Sequence, residues 1–220
     1  MATERETRFE IIQPGISISS KYSTNGTLGL IVFDNTNNKP CILSNWHVLA
    51  KNSFLPRTSF RVGRPIFQPG KLFQGKRNTN IIAKLTRHDR HTDSAIAEIV
   101  SRDFILNQYE SNVTITTARI PQEGDIVEKS GTRTGVTRGK IVDVNGHRVK
   151  IKPIEEGNPN NQEISDGGDS GCLWYDPNTM EGLVLHNSGE TDNNPNSEFA
   201  KGYSLIAVME RLNFSLTENN

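Results

Sequence analysis

The segment ISDGGDSGCLW, residues 164–174, surrounds one serine with three glycines. A serine hydroxyl becomes a nucleophile when a base takes its proton, and the oxyanion that forms on the attacked carbonyl needs preorganised N–H donors. Because glycine has no Cβ, a tight glycine turn lets two backbone N–H groups converge on one point. The segment therefore indicates a nucleophilic Ser170 with an oxyanion hole formed by the N–H groups of Gly168 and Ser170, although an ordinary hairpin turn has the same glycine pattern.

One of the five histidines stands where a general base would be useful. His47 follows the apolar run 41–44 in CILSNWHVLA, so a strand would hold it at the edge of a cleft. A histidine in such a place changes charge near neutral pH and can take and return a proton. The same context also fits a histidine at the edge of the core that bonds a backbone carbonyl. Three others, His88, His91 and His147, are expected on the surface or in loops.

Two aspartates are candidates for the carboxylate that would orient this histidine and stabilise its charged form. Both lie in RHDRHTDSAIAEIV, residues 87–100. Asp93 directly precedes the apolar run 94–100, so a strand would anchor its side chain and partly bury it. Asp89 stands among arginines and histidines that are typical of a solvated loop. Asp93 is therefore the preferred candidate, and Asp89 remains the alternative.

The elements that must position these residues are short strands. Turn residues such as Asn145-Gly146 separate the apolar runs, and closely spaced strands with little helix between them favour an antiparallel all-β fold. The exception is SLIAVMERLNF, residues 204–214, whose apolar positions predict an amphipathic terminal α-helix. The Asn-rich stretch 190–198 is expected to be an exposed loop. The predicted strands cover residues 27–33, 41–44, 80–86, 94–100, 112–120, 139–144, 147–154, 172–175 and 182–186.

The composition argues against several kinds of function. The 220 residues carry 25 Lys and Arg against 25 Asp and Glu, with no long block of either sign, so nucleic acid is not an expected partner. No run of about 18 apolar residues and no export signal are recognised, so no membrane association is expected. Cys41 and Cys172 are too few for a disulfide framework and are expected to be buried and unreactive. A cytoplasmic protein with no metal or other cofactor is therefore expected.

Three stretches, SNWHVLA, TDSAIAEI and DGGDSGCL, place the histidine, the aspartate and the serine in this order. The set resembles the chymotrypsin-like (trypsin-superfamily) serine proteases, and it is most similar to the disulfide-poor bacterial trypsin-like peptidases. In that branch, stretches similar to GTLGLIVFD, ILSNWHVLA, DSAIAEI, VEKSGTRTGVTRGKI and GDSG follow one another in the same order. The resemblance spans nearly the whole chain. It implies that Ser170 is the nucleophile, His47 the general base and acid, and Asp93 the orienting carboxylate.

The fold implied by the resemblance is two antiparallel six-stranded β-barrels with the active site between them and a C-terminal α-helix. Residues 1–14 would be an N-terminal extension, 15–110 the N-terminal barrel and 111–220 the C-terminal barrel with the helix, together one protease domain. The implied activity is that of a serine endopeptidase that cuts specific protein or peptide substrates through an acyl-enzyme. In some cases a regulatory protein controls this activity. The alternatives are a binding module on a protease fold and a protease that requires an activating partner.

The sequence departs from the trypsin-like pattern in one important place. Zymogens of that kind are cut before an Ile-Val-Gly-Gly start, whose new ammonium pairs with the acid preceding the nucleophile, and no similar start occurs here. Asp169 would then need another partner, because a buried unpaired carboxylate is costly. Arg133, Arg138 or local backbone N–H groups are the expected substitutes. Trp46, which replaces a small or polar residue before the histidine, is expected to pack against the first barrel.

In proteases of this kind the first specificity pocket is lined by residues just before the nucleophile and by the strand that follows it. The corresponding residues here are Ile164, Ser165, Leu185, His186 and Asn187. Since no acidic residue stands at Ile164, a preference for Lys or Arg is disfavoured and an apolar side chain is the expected substrate residue. The stretch LVLHNSG resembles glutamate-specific bacterial relatives, so an acidic preference through His186 is the alternative.

Overall fold

The computed structural model describes residues 3–21, 23–51, 61–70, 78–154, 163–190 and 198–218. Two sheets account for most of the chain, and no helix in these ranges is long and apolar enough to cross a membrane. The strands are β1 Ser17–Ser20, β2 Gly26–Thr27, β3 Leu30–Asp34, β4 Pro40–Asn45, β5 Pro65–Phe67, β6 Ile81–Asp89, β7 Ser94–Ile99, β8 Thr117–Ala118, β9 Ile126–Gly131, β10 Gly135–Asn145, β11 Arg148–Lys152, β12 Leu173–Tyr175, β13 Glu181–Gly189, β14 Ala200–Ser204 and β15 Phe214–Ser215. The helices are α1 Trp46–Leu49 and α2 Leu205–Leu212, with 3-10 turns at Glu4–Glu6 and Asn78–Asn80.

The N-terminal sheet contains eight strands in the order β15-β3-β4-β7-β6-β5-β1-β2, and its neighbours are antiparallel. Residues 26–34 form one bent stretch that joins both sides of this sheet. The N–H of Leu28 donates to the carbonyl of Ile16, and the N–H of Gly29 donates to that of Leu43, each at 2.9 Å. The sheet therefore curls round its core as a half-barrel.

The C-terminal sheet closes on itself. Its strands follow the order β12-β9-β10-β11-β14-β13, and β13 pairs again with β12, which completes a six-stranded barrel. Asn145-Gly146 forms the tight turn between β10 and β11, where Asn145 pairs with Arg148. The short strand β8 adds to β13 in the parallel direction. The all-β double-barrel fold with a C-terminal helix that the sequence predicts is thereby confirmed.

Apolar residues form one core inside each sheet and a third between the two. The third core takes Leu30 and Leu43 from the first sheet and Leu173 and Leu185 from the second, all at most 1% exposed. Helix α2 covers it with Leu205, Val208 and Leu212, as its amphipathic pattern predicts. Strand β15 then returns to the first sheet and pairs with β3, so the end of the chain ties the two barrels together.

One predicted strand is wrong in its extent. Within residues 112–120 only Thr117–Ala118 is a strand, and the rest of this stretch is irregular backbone apart from one isolated bridge. The run is apolar for a different reason, because Ile115 packs into the core between the barrels. Most of the loop predicted at 190–198 lies outside the described residues, since the structure describes none of residues 191–197.

The described part of the N-terminal segment is packed against the second barrel. The side chain of Arg5 is 4% exposed, and its guanidinium donates to Ser130 Oγ at 2.7 Å and to the carbonyl of Gly15 at 3.2 Å. The same group pairs with Glu110 at 2.7 Å and lies over the ring of Tyr109. A buried guanidinium with this many acceptors fixes the segment to the strand that carries Ser130.

Two glycines allow the barrels to approach each other beside Ser170. A Cβ on Gly29 would lie 2.1 Å from the carbonyl oxygen of Gly171, and a Cβ on Gly171 would lie 2.0 Å from Ser44 Oγ. Gly171 also has a φ of +93°, in the left-handed region that favours glycine. Across this contact the N–H of Thr27 donates to the carbonyl of Ser170 at 2.8 Å. The first barrel therefore holds the serine through its own backbone.

Candidate active site

His47 and Asp93 meet at the end of the first barrel. Strand β4 ends at Asn45, and the single turn of α1 that follows carries His47. His47 Nδ1 lies 2.6 Å from Asp93 Oδ2, and the backbone N–H of His47 donates to Asp93 Oδ1 at 3.1 Å. The carboxylate thus fixes the ring with a proton on Nδ1, which leaves Nε2 free to accept a proton. Trp46 packs into the core of the first barrel, as expected.

The structure also distinguishes the two aspartates. Asp93 has a φ of +43°, a left-handed conformation that Asp tolerates better than most residues, and it is held by Asn45 and Trp46, whose N–H groups donate to its carbonyl. Asp89 accepts hydrogen bonds from the N–H and Oγ1 of Thr92 instead. Asp89 therefore shapes the turn that leads to Asp93, while Asp93 contacts the histidine.

Asn187 connects Asp93 to Ser170. Its side-chain amide donates to Asp93 Oδ2 at 2.5 Å, and its backbone carbonyl accepts the hydroxyl of Ser170 at 3.2 Å. Strand β13 has a register shift between His186 and Ser188, which removes Asn187 from the ladder with β14 and leaves its groups for these contacts. Among the hydrogen bonds of the described residues none joins Ser170 to His47, so the hydroxyl rests against Asn187.

The backbone around Ser170 has two N–H groups in a position to bind an oxyanion. In the described residues neither Gly168 N–H nor Ser170 N–H donates to a protein group, whereas Asp169 N–H bonds Asp166 and Gly171 N–H bonds His186. Gly168 has a φ of +127°, which favours glycine at this position. N–H groups without a protein acceptor therefore alternate along this segment with N–H groups that have one. An oxyanion hole requires N–H donors that are not already bonded within the protein.

Asp169 lies between these donors and is fully buried. Lys129 Nζ, also fully buried, lies 3.2 Å from Asp169 Oδ2 and donates to Thr134 Oγ1 at 2.6 Å. The carboxylate accepts further hydrogen bonds from the N–H groups of Arg133, Thr134 and Asp166 and from the hydroxyl of Thr134. Burial opposes ionisation, but Lys129 and Thr134 outweigh it and hold the pKa of Asp169 below its ordinary value. The anion is therefore stable inside the protein.

The partner of Asp169 corrects one expectation and supports another. Neither candidate arginine supplies the cation: the Arg133 guanidinium faces Glu6 and Asp166, and that of Arg138 pairs with Glu128. Backbone N–H groups do take part, including that of Arg133. The sequence does not indicate Lys129, because a lysine followed by Ser130 and Gly131 has no sequence signal of burial. The only clue is its place in VEKSGTRTGVTRG, the stretch that also contains the two arginines.

Solved structures of several proteases superpose on most of this chain. Thermobifida fusca protease A superposes with a TM-score of 0.66 at 15% identity, covering 95% of this chain and all of the other. Nocardiopsis protease gives 0.64 at 15% identity, covering 93% of this chain and 97% of the other. A third structure, described as a glutamic acid specific serine protease with a histidine triad in substrate binding, gives 0.66 at 15% identity, covering 94% of this chain and all of the other. The chain has the chymotrypsin-like fold. Neither a family model nor a curated protein matches its sequence.

Within the chymotrypsin-like fold, the predicted pocket residues have different surroundings. The side chain of Ile164 packs into the core of the second barrel and that of Leu185 into the core between the barrels. Ser165 is fully buried and lies beside Gly189, and its hydroxyl has no hydrogen-bond partner among the described residues. Of this set, Asn187 is the residue with a hydrogen bond to Ser170 among the described residues.

His186 is 1% exposed and accepts a hydrogen bond from Trp174 Nε1 at 3.3 Å. Burial lowers the pKa of His186 to about 3, so the ring is neutral at physiological pH. A neutral imidazole offers no positive charge to an acidic substrate residue.

Three carboxyl groups lie next to the same segment. The oxygens of Glu163, Glu190 and Glu198 all lie within 4.8 Å of one another, and Glu198 accepts the backbone N–H of Ile164 at 3.1 Å. Oxygen atoms at this spacing are also able to hold a hard cation such as Ca²⁺. Burial and the neighbouring Glu190 raise the pKa of Glu198 to about 8, so Glu198 keeps its proton at neutral pH.

The two cysteines are structural. Both are fully buried, Cys41 in β4 and Cys172 just before β12. Burial raises the pKa of Cys41 to about 12 and that of Cys172 still further, so neither thiol forms a thiolate at neutral pH. Both behave as the small apolar residues that the sequence predicts.

Replacement of Lys129 by Met tests the buried ion pair. Lys129→Met leaves Asp169 charged and buried without its cation, and we expect a loss of about 3–5 kcal/mol in the free energy of unfolding. The matched control is Arg138→Gln, which removes a cation that is 60% exposed and pairs with Glu128. This control should cost less than about 1 kcal/mol. Urea unfolding of both variants gives the comparison, and equal losses would contradict the assignment.

The raised pKa of Glu198 predicts a specific pH dependence. The folded protein favours the protonated form of Glu198. The stability that this preference contributes is therefore fully present below the ordinary pKa of 4.5 and is lost as the pH rises through about 8. Glu198→Gln cannot ionise and should match the wild-type Tm near pH 4.5 but exceed it by a few degrees near pH 9. Calorimetric Tm values across this range provide the test, with Glu210→Gln on the exposed side of α2 as control. A wild-type pH profile for Glu198→Gln would refute the prediction.

Proposed function

We propose that this protein is a serine endopeptidase that acts through His47, Asp93 and Ser170. The observation that carries the proposal is the position of Asn187, which contacts Asp93 with its side chain and Ser170 with its carbonyl. One residue thus links the orienting carboxylate to the nucleophile. The unused N–H groups of Gly168 and Ser170 support the same reading, and solved structures of the same fold include serine proteases.

The reaction follows from the atoms at the site. His47 Nε2 takes the hydroxyl proton while Ser170 Oγ forms a bond to the carbonyl carbon of the peptide, and the carbonyl electron pair moves to its oxygen. The N–H groups of Gly168 and Ser170 stabilise that oxyanion. The carbonyl then re-forms, the C–N bond breaks, and His47 gives its proton to the departing amine. Water repeats the sequence on the acyl-enzyme and releases the acid. Throughout, Asp93 stabilises the charged imidazole.

The resting position of the hydroxyl sets one requirement. Ser170 Oγ donates to the Asn187 carbonyl, so the side chain must rotate to donate to His47 before it attacks. Rotation about one side-chain bond between staggered positions is fast. The same observation favours a second candidate, a protease whose serine turns toward the histidine only when a substrate or partner occupies the cleft.

For the substrate residue before the cleaved bond we propose an apolar or other uncharged side chain. A neutral His186 and the neighbouring carboxyl cluster of Glu163, Glu190 and Glu198 both disfavour an acidic residue in this pocket. A cleavage survey with a mixed peptide library reads this preference directly. The same survey also detects a basic preference.

Substitution of the two candidate aspartates tests the mechanism. Asp93→Asn keeps the shape of the side chain but removes its charge and favours the wrong histidine tautomer, so kcat/KM should fall by about 10³–10⁴-fold. Asp89→Asn is the matched control, because an amide oxygen can still accept from Thr92, and it should stay within about threefold of the wild type. Hydrolysis of the best library peptide, with Ser170→Ala as the blank, gives both values. Equal activity of the two asparagine variants would contradict the assigned roles.

A further inference from the structure

Two adjoining cavities open beside the triad and are not used by the mechanism. One has a volume of about 370 Å³ and reaches Asn187, and the other, of about 320 Å³, reaches Thr92 next to Asp93. Asn145, Arg148 and Tyr203 line both, so the two form one continuous depression. We call it the cationic cleft and define it by Arg148, Lys150, Lys201 and Arg211. Its lining includes Asn187, whose carbonyl accepts the hydroxyl of Ser170.

The strand register places the charges of the cleft together. Arg148 lies opposite Tyr203, and Lys150 lies opposite Lys201, on the adjacent strands β11 and β14. Because side chains alternate along a strand, these four residues share one face of the sheet. The ammonium groups of Lys150 and Lys201 also lie near the same ring, 5.0 and 4.7 Å from the centroid of Phe199. Two like charges are therefore held directly opposite each other.

Little negative charge balances this arrangement. Among the ion pairs of the described residues none includes Arg148, Lys150 or Lys201, and Asp143 is the one carboxylate that lines the described cavities. Arg211 lies 3.6 Å from Asp89. Like charges placed opposite each other on neighbouring strands are destabilising unless an anion lies between them. In a recess with protein walls their combined field attracts anions more strongly than it would on a flat surface.

We propose that the cationic cleft binds acidic side chains of the peptide substrate close to the cleaved bond. This inference rests on the proposed peptidase function, because the cleft adjoins Asn187 and Thr92 on either side of Asp93. It assigns two separate preferences to the substrate: an uncharged residue in the pocket beside Ser170, and one or more Asp or Glu residues in the adjoining cleft. A carboxylate between Lys150 and Lys201 would relieve their repulsion, and a second would meet Arg148.

An acidic peptide fits better than a nucleic acid. The chain has 25 basic and 25 acidic residues, so the positive charge is a local feature and not a property of the whole protein. The cleft is also short and is lined by Asn187, which contacts both Asp93 and Ser170. A phosphate backbone is instead usually followed by a long basic surface. Nucleic acid binding is therefore an outcome that would overturn the proposal.

Binding to the inactive protein tests the cleft without relying on catalysis. The protein carrying Ser170→Ala is titrated into a fluorescein-labelled ten-residue peptide with four glutamates, and fluorescence anisotropy gives Kd. We expect at least about tenfold weaker binding for the same peptide with glutamines, and weaker binding at higher salt. Adding Lys150→Gln and Lys201→Gln should weaken glutamate-peptide binding about tenfold and leave glutamine-peptide binding unchanged. Adding Lys84→Gln and Lys140→Gln, two exposed lysines that do not line the cleft, is the matched control.

Three results would overturn the inference. The first is equal affinity for the glutamate and glutamine peptides. The second is an equal loss of glutamate-peptide affinity in the cleft variant and in its control, when thermal melting shows both to be folded. The third is tighter binding of a single-stranded oligonucleotide with the same number of charges. A library digest with the active protein separates this inference from the proposed function. Cleavage without enrichment of Asp or Glu near the cleaved bond refutes only the inference. Glutamate-peptide binding without any cleavage refutes only the peptidase.

Discussion

The ion pair between Asp169 and Lys129 determines the shape of the site. Both side chains are fully buried, so each would be strongly destabilising without the other. Asp169 is anchored by the backbone of Arg133 and Thr134, and its own backbone lies between the two N–H groups of Gly168 and Ser170. The position of the carboxylate therefore fixes the direction of both donors. In this chain the cation comes from a strand of the second barrel and requires no new chain terminus.

The surroundings of this pair connect it to the rest of the protein. Ser130 Oγ, next to Lys129 in the chain, accepts a hydrogen bond from the buried Arg5 of the N-terminal segment. The carbonyl of Thr132 accepts from the hydroxyl of Thr3, and the N–H of Thr132 donates to Thr27 Oγ1 of the first barrel. The close glycine contact beside Ser170 brings the two barrels together on the other side. The serine is thus held from both barrels, while His47 and Asp93 belong entirely to the first. Asn187 supplies the contact that joins the two groups.

The sequence predicts the regular parts of this structure well. Runs such as 27–33, 94–100 and 182–186 become strands because their side chains are apolar and buried on at least one face. Strands β1, β9 and β14 have little apolar pattern, since Ser17–Ser20 and Ile126–Gly131 bury polar side chains through specific partners. The roles of Lys129 and Asn187 depend on such partners as well. Their contacts join residues far apart in the chain, and no local pattern indicates them.

Fluorophosphonate labelling of the full-length protein, read by intact mass, tests most directly whether the internal ion pair keeps Ser170 reactive. This role of the ion pair predicts one adduct per chain, absent from Ser170→Ala, on protein whose mass shows that no residues have been removed from the N-terminal segment. A folded protein that gives no adduct, or gives one only after cleavage near its N-terminus, would contradict it.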